Sequence, residues 1–545
     1  MPIQSANPPD IITLDQWKGI NQQTRRGSID DQELYWQENL YSIAPGSLRS
    51  CWGPSAPIYT APAGTQILRI FFGFYGRVTG EFTPPPPGRS GFMFLSDGNV
   101  DEVDLDTHEV VRLGNIWQPV APYYWASMKV WRPTWVGADP GQTGGILIGS
   151  PKGLYAWDGV TLFSPGDPSP EWLSNEVPGV DPISPMPIGL PGIFTMEVYQ
   201  ERLWVAGKNV ISFSAPTNGA NFSTAKGGGS FGYYGDRLTY SYMDLAANAG
   251  YLYIFGDSST DIISNVQFSG QGTVTSPFTT NFTYSNLDPQ VGHGFPRPAG
   301  RWGRYFAICN GDPRNAGDSD PLAFRGGIYL TGGDAQMIGQ KISNVYSTLD
   351  TAPFIPTFAP MTMFGYRVML LNGMFTDPFG RVRSMLLAWN GDQWCVMSQG
   401  LNITQIGSYE DQSVIIPYGT DGTSLYRLFN HPDPKLIKRF STKKLRGPGA
   451  AMLTIKNAKR LFLEFEDMRG GGVSLVGKLT TGGGGVPGGA ADISFELKPG
   501  EEAAIQPQPV ESAGIWAAVD LESISPDFII ERLHISADQR TLFGA

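Results

Sequence analysis

The chain has 545 residues, several times the ~150 residues that serve as a soft prior for one domain, so a single small domain is excluded. Glycine (68) and proline (44) are abundant and charged residues make up only 16%, which excludes coiled coils and long helical bundles. The net charge of -11 argues against an exposed nucleic-acid clamp, which needs clustered cations, but it allows an acidic lumen through which DNA passes.

The first 65 residues are expected to form an irregular N-terminal segment. The start, Met1 to Asp10, has three prolines and no basic apolar stretch, so neither a secretory signal nor a transit peptide is expected. Only Asp30 to Leu40 could form a short helix, with Ser28 as its N-cap and acidic residues in its first turn.

No part of the sequence resembles a membrane span or a disulfide framework. The most apolar stretch, Ile67 to Gly76, is interrupted by Arg69 and is far shorter than the ~20 residues a span needs. The three cysteines, Cys51, Cys309 and Cys395, are odd in number and lack metal-ligand spacing. We expect reduced core cysteines in a protein that is made in the cytosol and inserts stably into no membrane.

From residue 66 to about 445, short apolar runs alternate with pairs of Gly, Asn, Asp and Pro, which is typical of many short strands joined by tight turns. Hairpins begin at Phe92, Ile146, Leu203 and Leu252, at intervals of 54, 57 and 49 residues. Antiparallel hairpins at this spacing indicate blades that bury their faces against one another. The region therefore predicts an all-β, six- or seven-bladed β-propeller. Further apolar runs that fit the same pattern lie near Ile328, Met385 and Val414.

Two long segments interrupt this pattern and are candidates for loops that make contacts or gate a channel. Pro165 to Pro191 has eight prolines in 27 residues, and Phe268 to Asn286 is the other long candidate. A shorter tract, Pro84 to Pro87, is expected to be a stiff loop.

Residues 446 to 545 predict a small C-terminal β-sandwich that serves as an interface or platform. Leu461, Leu463 and Phe465 alternate with glutamates, as in strands with one solvent-exposed face. Before it lies the one basic cluster, Lys435 to Arg446, which ends in the linker-like Gly447 to Gly449. This cluster either touches an acidic partner surface or is a solvated linker.

A search for chemistry identifies no catalytic, cofactor-binding or metal-ligating residue. The four histidines are too far apart in sequence for a zinc motif, and the oxygen-rich stretch from Asn310 to Asp320 lacks the EF-hand register. Lys226 to Ser230 has the order of a phosphate loop reversed, and Thr420 to Thr423 is a single fragment of a sialidase-type turn. We therefore expect no enzyme activity and no cofactor. The alternatives are a carbohydrate-active or receptor-binding propeller and a protein-binding propeller of the WD or kelch kind.

The opening of the chain resembles tail nozzle proteins of short-tailed bacteriophages, also known as tail hub or packaged-DNA stabilisation proteins. The resemblance rests on Trp17-Lys18-Gly19-Ile20-Asn21, then Glu33 to Asn39, then Gly46-Ser47-Leu48-Arg49, followed by hairpins and a C-terminal sandwich. Trp17, where a Phe is expected, and the long loop from Pro165 to Pro191 depart from the family pattern.

The resemblance implies a structural virion protein of a bacteriophage tail. Six copies are expected to form a ring below the tail adaptor, extend the DNA channel, and retain and then release the genome. Expected partners are other copies of the chain, the adaptor, further tail proteins such as a fibre or needle, and double-stranded DNA that passes without sequence recognition. The expected location is the tail of the virion.

Overall fold

Strands and tight turns make up most of the structure, a computed structural model with 57% strand and 3% helix. The predicted all-β class is therefore confirmed. The structure describes residues 10–540 apart from 31, 45, 76–87, 118–125, 132–143, 175–183, 189, 191–194, 208–209, 233–243, 257–258, 274, 296–297, 311–325, 412, 447–454, 470–472, 483–491 and 498–504.

The N-terminal segment contains five strands. They are β1 (Asp10–Leu14), β2 (Leu34–Glu38), β3 (Leu40–Ala44), β4 (Ser47–Ser50) and β5 (Tyr59–Thr60). The irregular segment expected over residues 1–65 is therefore wrong for these strands, and the helix expected over Asp30 to Leu40 is replaced by β2.

Seven four-stranded antiparallel units, called blades 1 to 7 in chain order, follow. Blade 1 has β6 (Ile67–Tyr75), β7 (Gly88–Leu95), β8 (Asn99–Asp104) and β9 (Val110–Asn115); blade 2 has β10 (Ser127–Trp131), β11 (Gly145–Ser150), β12 (Gly153–Trp157) and β13 (Leu162–Phe163). Blade 3 has β14 (Thr195–Tyr199), β15 (Arg202–Gly207), β16 (Val210–Phe213) and β17 (Gly229–Gly232); blade 4 has β18 (Asp244–Asn248), β19 (Tyr251–Phe255), β20 (Thr260–Ser269) and β21 (Thr279–Asp288). Blade 5 has β22 (Gly300–Trp302), β23 (Tyr305–Asn310), β24 (Gly327–Thr331) and β25 (Gln336–Met337); blade 6 has β26 (Thr357–Met363), β27 (Tyr366–Thr376), β28 (Val382–Trp389) and β29 (Trp394–Val396). Blade 7 has β30 (Gln405–Asp411), β31 (Val414–Thr420) and β32 (Ser424–Arg427), with β5 as its fourth strand.

The blades form a closed ring. First strands of successive blades lie side by side, blade 4 joins blade 5 through a shared core that contains Phe255 and Phe306, and β30 of blade 7 lies beside β6 of blade 1. Leu425 and Ser424 pair with Tyr59 and Thr60, so the N-terminal segment completes the last blade. This arrangement is a seven-bladed β-propeller, within the predicted range of six or seven.

Both faces of a blade are buried, which explains the continuous apolar runs in the sequence. On β11, Ile146 and Ile148 pack against blade 1, whereas Leu147 between them packs against blade 3. The predicted hairpins at Phe92 and Leu203 begin in β7 and β15, the second strands of their blades. Period-2 alternation is lost in such strands because each neighbouring blade covers one face.

The sandwich combines strands from both ends of the chain. Its C-terminal strands are β33 (Lys438–Thr442), β34 (Ile455–Asp467), β35 (Leu475–Gly482), β36 (Asp492–Leu497), β37 (Ile505–Gly514), β38 (Trp516–Ser523) and β39 (Phe528–Arg540). One sheet has the order β3-β4-β39-β34-β37 with β1 paired to β39. The predicted C-terminal strands therefore exist, but the N-terminal Leu14, Leu34 and Leu48 complete their core.

The second sheet of the sandwich is continuous with blade 6. Its nine strands have the order β26-β27-β28-β29-β2-β33-β38-β35-β36, and β2 joins the two parts by pairing parallel to β29 and antiparallel to β33. A bulge in β2 sends Leu34 into the sandwich core and Trp36 into the core of blades 5 and 6. These two burials outweigh the local capping signal at Ser28 and make this segment a strand. The predicted linker at Gly447 to Gly449 lies outside the described residues.

Helical structure is limited to short turns in the described part of the chain. A single-turn α-helix, α1, spans Ser343–Tyr346, and 3₁₀ turns span Glu171–Leu173, Thr224–Lys226 and Gln340–Ile342.

Candidate functional site

The opening motif lies at the junction between propeller and sandwich. Trp17 is fully buried in the sandwich core, where its Nε1 donates to the carbonyl of Glu531 at 2.9 Å. Three residues later, Ile20 is buried in the core of blades 5 and 6, and its N–H donates to the carbonyl of Trp394 at 2.8 Å. The motif therefore places one side chain in each of the two cores.

The backbone of the motif has an unusual conformation that makes this division possible. Trp17 has φ 44° and Gly19 has φ 76°. A Cβ on Gly19 would lie 2.8 Å from the carbonyl oxygen of Trp394, so only glycine fits there. A bulky residue such as Trp17 adopts positive φ only when its surroundings hold it. The hydrogen bond to Glu531 and the edge contact with Phe440 provide that hold.

The second part of the motif also bridges the two units. Leu48 is buried in the sandwich core. The guanidinium of the next residue, Arg49, lies 4.1 Å from the ring centroid of Phe364 in blade 6 and 3.7 Å from a carboxylate oxygen of Asp527 in the sandwich. Trp17, Ile20 and Arg49 of the opening motif thus help to connect the propeller to the sandwich.

A buried ion-pair network lies at the same junction. Both carboxylate oxygens of Glu38 on β2 accept from Arg383 of blade 6, and one of them lies 3.5 Å from Arg439 of the sandwich. Arg383 also lies 3.4 Å from the buried carboxylate of Asp377. Burial alone would raise the pKa of Glu38, but the two arginines outweigh it and the pKa is lowered. Glu38 is therefore ionised at neutral pH.

Polar contacts join neighbouring blades near the centre of the propeller. Among the described residues, each of the seven junctions between neighbouring blades has a direct hydrogen bond or ion pair. Six of these contacts lie at or beside the first strands, and the one between blades 5 and 6 comes from Arg367 at the start of the second strand, β27. Going round from blade 1 they are Arg69 to the Ala126 carbonyl, Lys129 to Glu197, Thr195 to Asp244, the Ala299 N–H to Asp244, Arg367 to the Arg301 carbonyl, the Ile406 N–H to Thr357, and the Ile70 N–H to Gln405.

Charged side chains concentrate on the blade 2 to blade 5 side of this centre. Lys129 Nζ lies 2.8 Å from Glu197 Oε2, and this partner outweighs the effect of burial so that the pKa of Lys129 is raised. Asp244 is buried, and burial raises its pKa to about 6 although the Ala299 N–H and Thr195 donate to it. The centre therefore holds cations and carboxylates in mutual contact.

The described residues of the first long segment predicted as a gate loop pack against the propeller. In Pro165 to Pro191, hydrogen bonds join Gly166 and Asp167 to Met186, and the buried Trp172 and Leu173 pack between blades 2 and 3. Residues 175–183, 189 and 191 of this segment lie outside the described part.

The second segment is a hairpin rather than a loop. Phe268 to Asn286 falls mostly within β20 and β21, and Phe282 packs on Trp204, Phe213 and Phe231 of blade 3. The expectation of a freely displaceable loop is wrong for the part of this segment that lies in β20 and β21, because aromatic burial and strand pairing hold those residues.

The basic cluster is mainly used inside the chain. Lys438 is fully buried and donates to the carbonyl of Asp433, and burial lowers its pKa to about 8. Lys443 donates to the carbonyl of Ile29, and Lys444 lies 4.3 Å over the ring of Trp516. The interpretation of this stretch as a solvated linker is wrong for these residues.

The remaining motifs occupy structural positions. The carboxylate of Asp421 accepts hydrogen bonds from Thr423, Ser424 and Tyr426, so the sialidase-like fragment is a capped turn of blade 7. Burial would raise the pKa of Asp421, but these hydrogen bonds outweigh it and the pKa is lowered. Lys226 ends a 3₁₀ turn whose cap, Gly227, has φ 86°. Asp312, Asp318 and Asp320 lie outside the described residues.

The histidines His293 and His534 make individual hydrogen bonds with neighbouring residues. His293 accepts from the N–H of Cys309, and His534 bonds Thr13 on the sandwich sheet, while all three cysteines are buried and free. Among the described residues no group of three or more His, Cys, Asp or Glu could hold a metal ion. In the same residues, no helix is both long and apolar enough to cross a lipid bilayer.

No protein-family model and no curated protein matches the sequence. Among solved structures, the chain is similar to BBS1N in complex with ARL6DN (9% identity, 70% of this chain and 98% of that one, TM-score 0.39) and to the N-terminal domain of Nup159 (10%, 72% and 98%, TM-score 0.31). It is also similar to PorZ, a surface component of the type-IX secretion system of Porphyromonas gingivalis (9%, 76% and 53%, TM-score 0.19). The assignment as a β-propeller followed by a sandwich rests on the sheets described above.

Proposed function

We propose that this protein is a structural subunit of a bacteriophage tail that assembles, with five further copies, into a ring extending the DNA channel below the tail adaptor. In this role it helps to retain the packaged genome and then to release it. It acts by shape and assembly, without catalysis. A channel wall that is neutral to acidic suits this role, because phosphates then meet few adhesive cations along their path.

The observation that supports the proposal is the continuous sheet that connects the propeller to the sandwich. Blade 6 continues through β2 into the sandwich sheet, and Glu38, Arg383 and Arg439 close the junction with buried ion pairs. A ring subunit between an adaptor and further tail proteins must carry force without bending between its domains. The residues that resemble the nozzle family, Trp17 to Asn21 and Gly46 to Arg49, supply the same connection.

The test is negative-stain imaging of the protein purified with the other tail components of its phage. Six-fold rings with a central hole are the expected result. Hydrolysis of capsule or lipopolysaccharide sugars by the isolated protein, or a monomer in the presence of the adaptor, would overturn the proposal in favour of a carbohydrate-active or receptor-binding propeller.

Genome retention is tested separately at the tip of the β20–β21 hairpin, where the described residues are 270–273 and 275–278 and most of them are exposed. If this tip helps to close the channel, particles with a shortened tip assemble but lose DNA on mild heating. Retention equal to that of the parent would show that another part of the tail closes the channel.

A further inference from the structure

Three arginines meet at the turns that join the first two strands of blades 5 and 6. Arg301 and Arg304 lie in the β22–β23 hairpin, and Arg367 lies at the start of β27. The guanidinium of Arg367 donates to the carbonyl of Arg301 at 3.1 Å, which brings the two turns together. All three residues are exposed.

None of these arginines forms an ion pair with a carboxylate among the described residues. Arg301 donates to the amide oxygen of Asn248 at 3.2 Å, and Arg304 donates to the hydroxyl of Tyr305 at 2.7 Å. Together with the bond from Arg367, these are hydrogen bonds to neutral groups only. A guanidinium has five N–H donors, so most of the donors in this group are available to a ligand.

Aromatic rings and open turns accompany the arginines. The guanidinium of Arg367 lies 5.6 Å from the ring centroid of Trp302, and Tyr366 is 47% exposed. A Cβ at Gly303 or Gly365, in the two turns, would meet no atom within 4 Å beyond its chain neighbours. The turns therefore leave room for a partner. We call this group the arginine surface, and its members are Arg301, Trp302, Arg304, Tyr366 and Arg367.

The arginine surface has a local excess of positive charge. In an antiparallel blade, the turn between the third and fourth strands lies at the same end as the turn between the first two. These further turns of blades 5 and 6 carry Asp334 and Asp392, which are exposed and form no ion pair with the three arginines. Three cations against two carboxylates leave a positive surface in a chain whose net charge is -11. Such a local reversal of sign indicates a partner that carries negative charge.

The composition of the surface favours a protein partner over DNA. Arginine, tryptophan and tyrosine are the residue types enriched at the centres of protein–protein interfaces. A planar guanidinium binds a carboxylate through two parallel hydrogen bonds, and an aromatic ring beside it contacts apolar side chains. A DNA duplex is an extended polyanion, so it also meets the exposed Asp334 and Asp392 and the overall negative charge of the chain.

We propose that the arginine surface binds an acidic segment of a partner protein. Carboxylates of the segment pair with Arg301, Arg304 and Arg367, and an apolar side chain of the segment packs on Trp302 or Tyr366. This inference goes beyond the proposed function, because it assigns a contact with a different protein and holds whether or not the chain forms a ring.

Fluorescence anisotropy of the full chain tests the surface, with labelled hexaglutamate as the acidic probe and labelled hexaglutamine as the uncharged one. We expect hexaglutamate to bind at about 50 mM salt and more weakly at about 200 mM, because salt screens exposed charges, and hexaglutamine not to bind. Arg301→Ala, Arg304→Ala and Arg367→Ala in one chain are expected to weaken hexaglutamate binding by about tenfold or more. Arg304→Ala alone, a change in an open turn, is expected to weaken it about threefold.

The matched control removes three exposed cations elsewhere and changes the net charge equally. It combines Arg427→Ala, Lys435→Ala and Arg469→Ala. We expect this variant to bind hexaglutamate within about twofold of the parent, because exposed charges distant from the contact are screened. Parent-like thermal unfolding of both triple variants excludes misfolding as the cause of a loss.

Three outcomes would overturn the inference. The first is a parent chain that does not bind hexaglutamate, and the second is a control variant that loses as much binding as the arginine variant. The third uses a labelled DNA duplex of about 20 base pairs: tighter binding of the duplex than of hexaglutamate, lost in the arginine variant, would assign the surface to DNA. None of these outcomes bears on ring assembly, which imaging of the parent measures separately.

Discussion

At the scale of single residues, the polar centre of the propeller contains a carboxyl group with an unusual proton affinity. Asp244 joins blades 3, 4 and 5, because it accepts from Thr195 and from the Ala299 N–H. Its burial raises its pKa from 3.8 to about 6. The folded protein therefore binds the proton of Asp244 more tightly than the unfolded chain does.

The first prediction concerns the pH dependence that follows from Asp244. The stabilisation from its raised pKa is complete below about pH 4 and is lost as the pH rises through about 6. Asp244→Asn removes this loss, so at pH 7 its free energy of unfolding is expected to exceed that of the parent by about 1–3 kcal/mol. Urea unfolding at pH 4 and pH 7 measures the difference.

Asp421→Asn is the matched control, with the opposite sign. The pKa of Asp421 is lowered, so its contribution is present at pH 7 and is lost as the pH falls below its ordinary value of 3.8. We expect this variant to be less stable than the parent at pH 7. Equal pH profiles for Asp244→Asn and the parent would contradict the raised pKa.

The second prediction concerns Trp17. Its indole packs in the sandwich core although the residue lies outside any strand. Trp17→Ala removes a fully buried ring and the hydrogen bond to Glu531, and we expect a loss of about 3–5 kcal/mol in the free energy of unfolding. Trp302→Ala is the control, because this ring at the end of β22 in blade 5 is only partly buried. A loss at Trp17 no larger than at Trp302 would be evidence against its role at the junction.

At the scale of elements, β2 and the β20–β21 hairpin each cover part of a neighbouring unit. The strand β2 is short, but it lies between a propeller blade and a sandwich sheet, and Glu38 at its end binds an arginine from each side. The hairpin is long, and its outer part covers blade 3 through Phe282. In both cases a strand of one unit covers the edge or face of another.

The third prediction tests the junction at Glu38. Glu38→Ala removes the buried carboxylate that Arg383 and Arg439 share, and removing one member of a buried ion pair is expected to cost about 3–5 kcal/mol. Glu464→Ala is the control, because its pair with Arg532 is 3.8 Å apart and more exposed, and it should cost less than about 1 kcal/mol. Urea unfolding gives both values, and limited proteolysis shows whether propeller and sandwich separate in the Glu38 variant. Equal losses for the two variants would argue against the junction.

The fourth prediction distinguishes an ordered hairpin from a displaceable loop. Phe282→Ala removes a ring that contacts Trp204, Phe213 and Phe231, and faster amide hydrogen exchange is expected across β20 and β21. Tyr284→Ala, with a ring 44% exposed on the same strand, should change exchange little. Exchange in β20 and β21 that is already fast in the parent would restore the loop interpretation.

At the scale of the whole molecule, the two ends of the chain are needed together. The strands β1, β3 and β4 form a sheet with β39 and β34, and β5 completes blade 7. The N-terminal segment therefore holds the propeller ring closed and the sandwich in place at the same time.

The fifth prediction follows from this shared core. Deletion of residues 450–545 removes the partners of β1 and β4 and exposes Leu14, Leu34 and Leu48, which are all fully buried in the complete chain. We expect the truncated protein to be poorly soluble or to bind a hydrophobic dye such as ANS, whereas deletion of 541–545 should have no such effect. A soluble truncated protein with parent-like thermal unfolding would show that the propeller is independent of the sandwich.

Local sequence patterns are enough to predict the all-β class, the propeller and the C-terminal strands. These features depend on local signals, because apolar runs such as Ile146 to Ile148 and turn residues such as Asp97-Gly98 indicate strands and hairpins without knowledge of their partners. The predicted runs coincide with the second or third strands of blades, which are the most buried, whereas short first strands such as β22 and exposed outer strands such as β9 carry little pattern.

The role of the N-terminal segment and the positions where charged residues meet depend on contacts between distant parts of the chain. Leu34 and Trp36 lie in a stretch whose local pattern favours a helix, and they form a strand because sheets on both sides provide partners that are hundreds of residues away. The same holds for Arg26 and Lys444, which are far apart in the sequence and are joined by a hydrogen bond from the Lys444 N–H to the Arg26 carbonyl. Contacts between residues so distant in sequence depend on the closed ring and the shared sheet, and no local pattern encodes them.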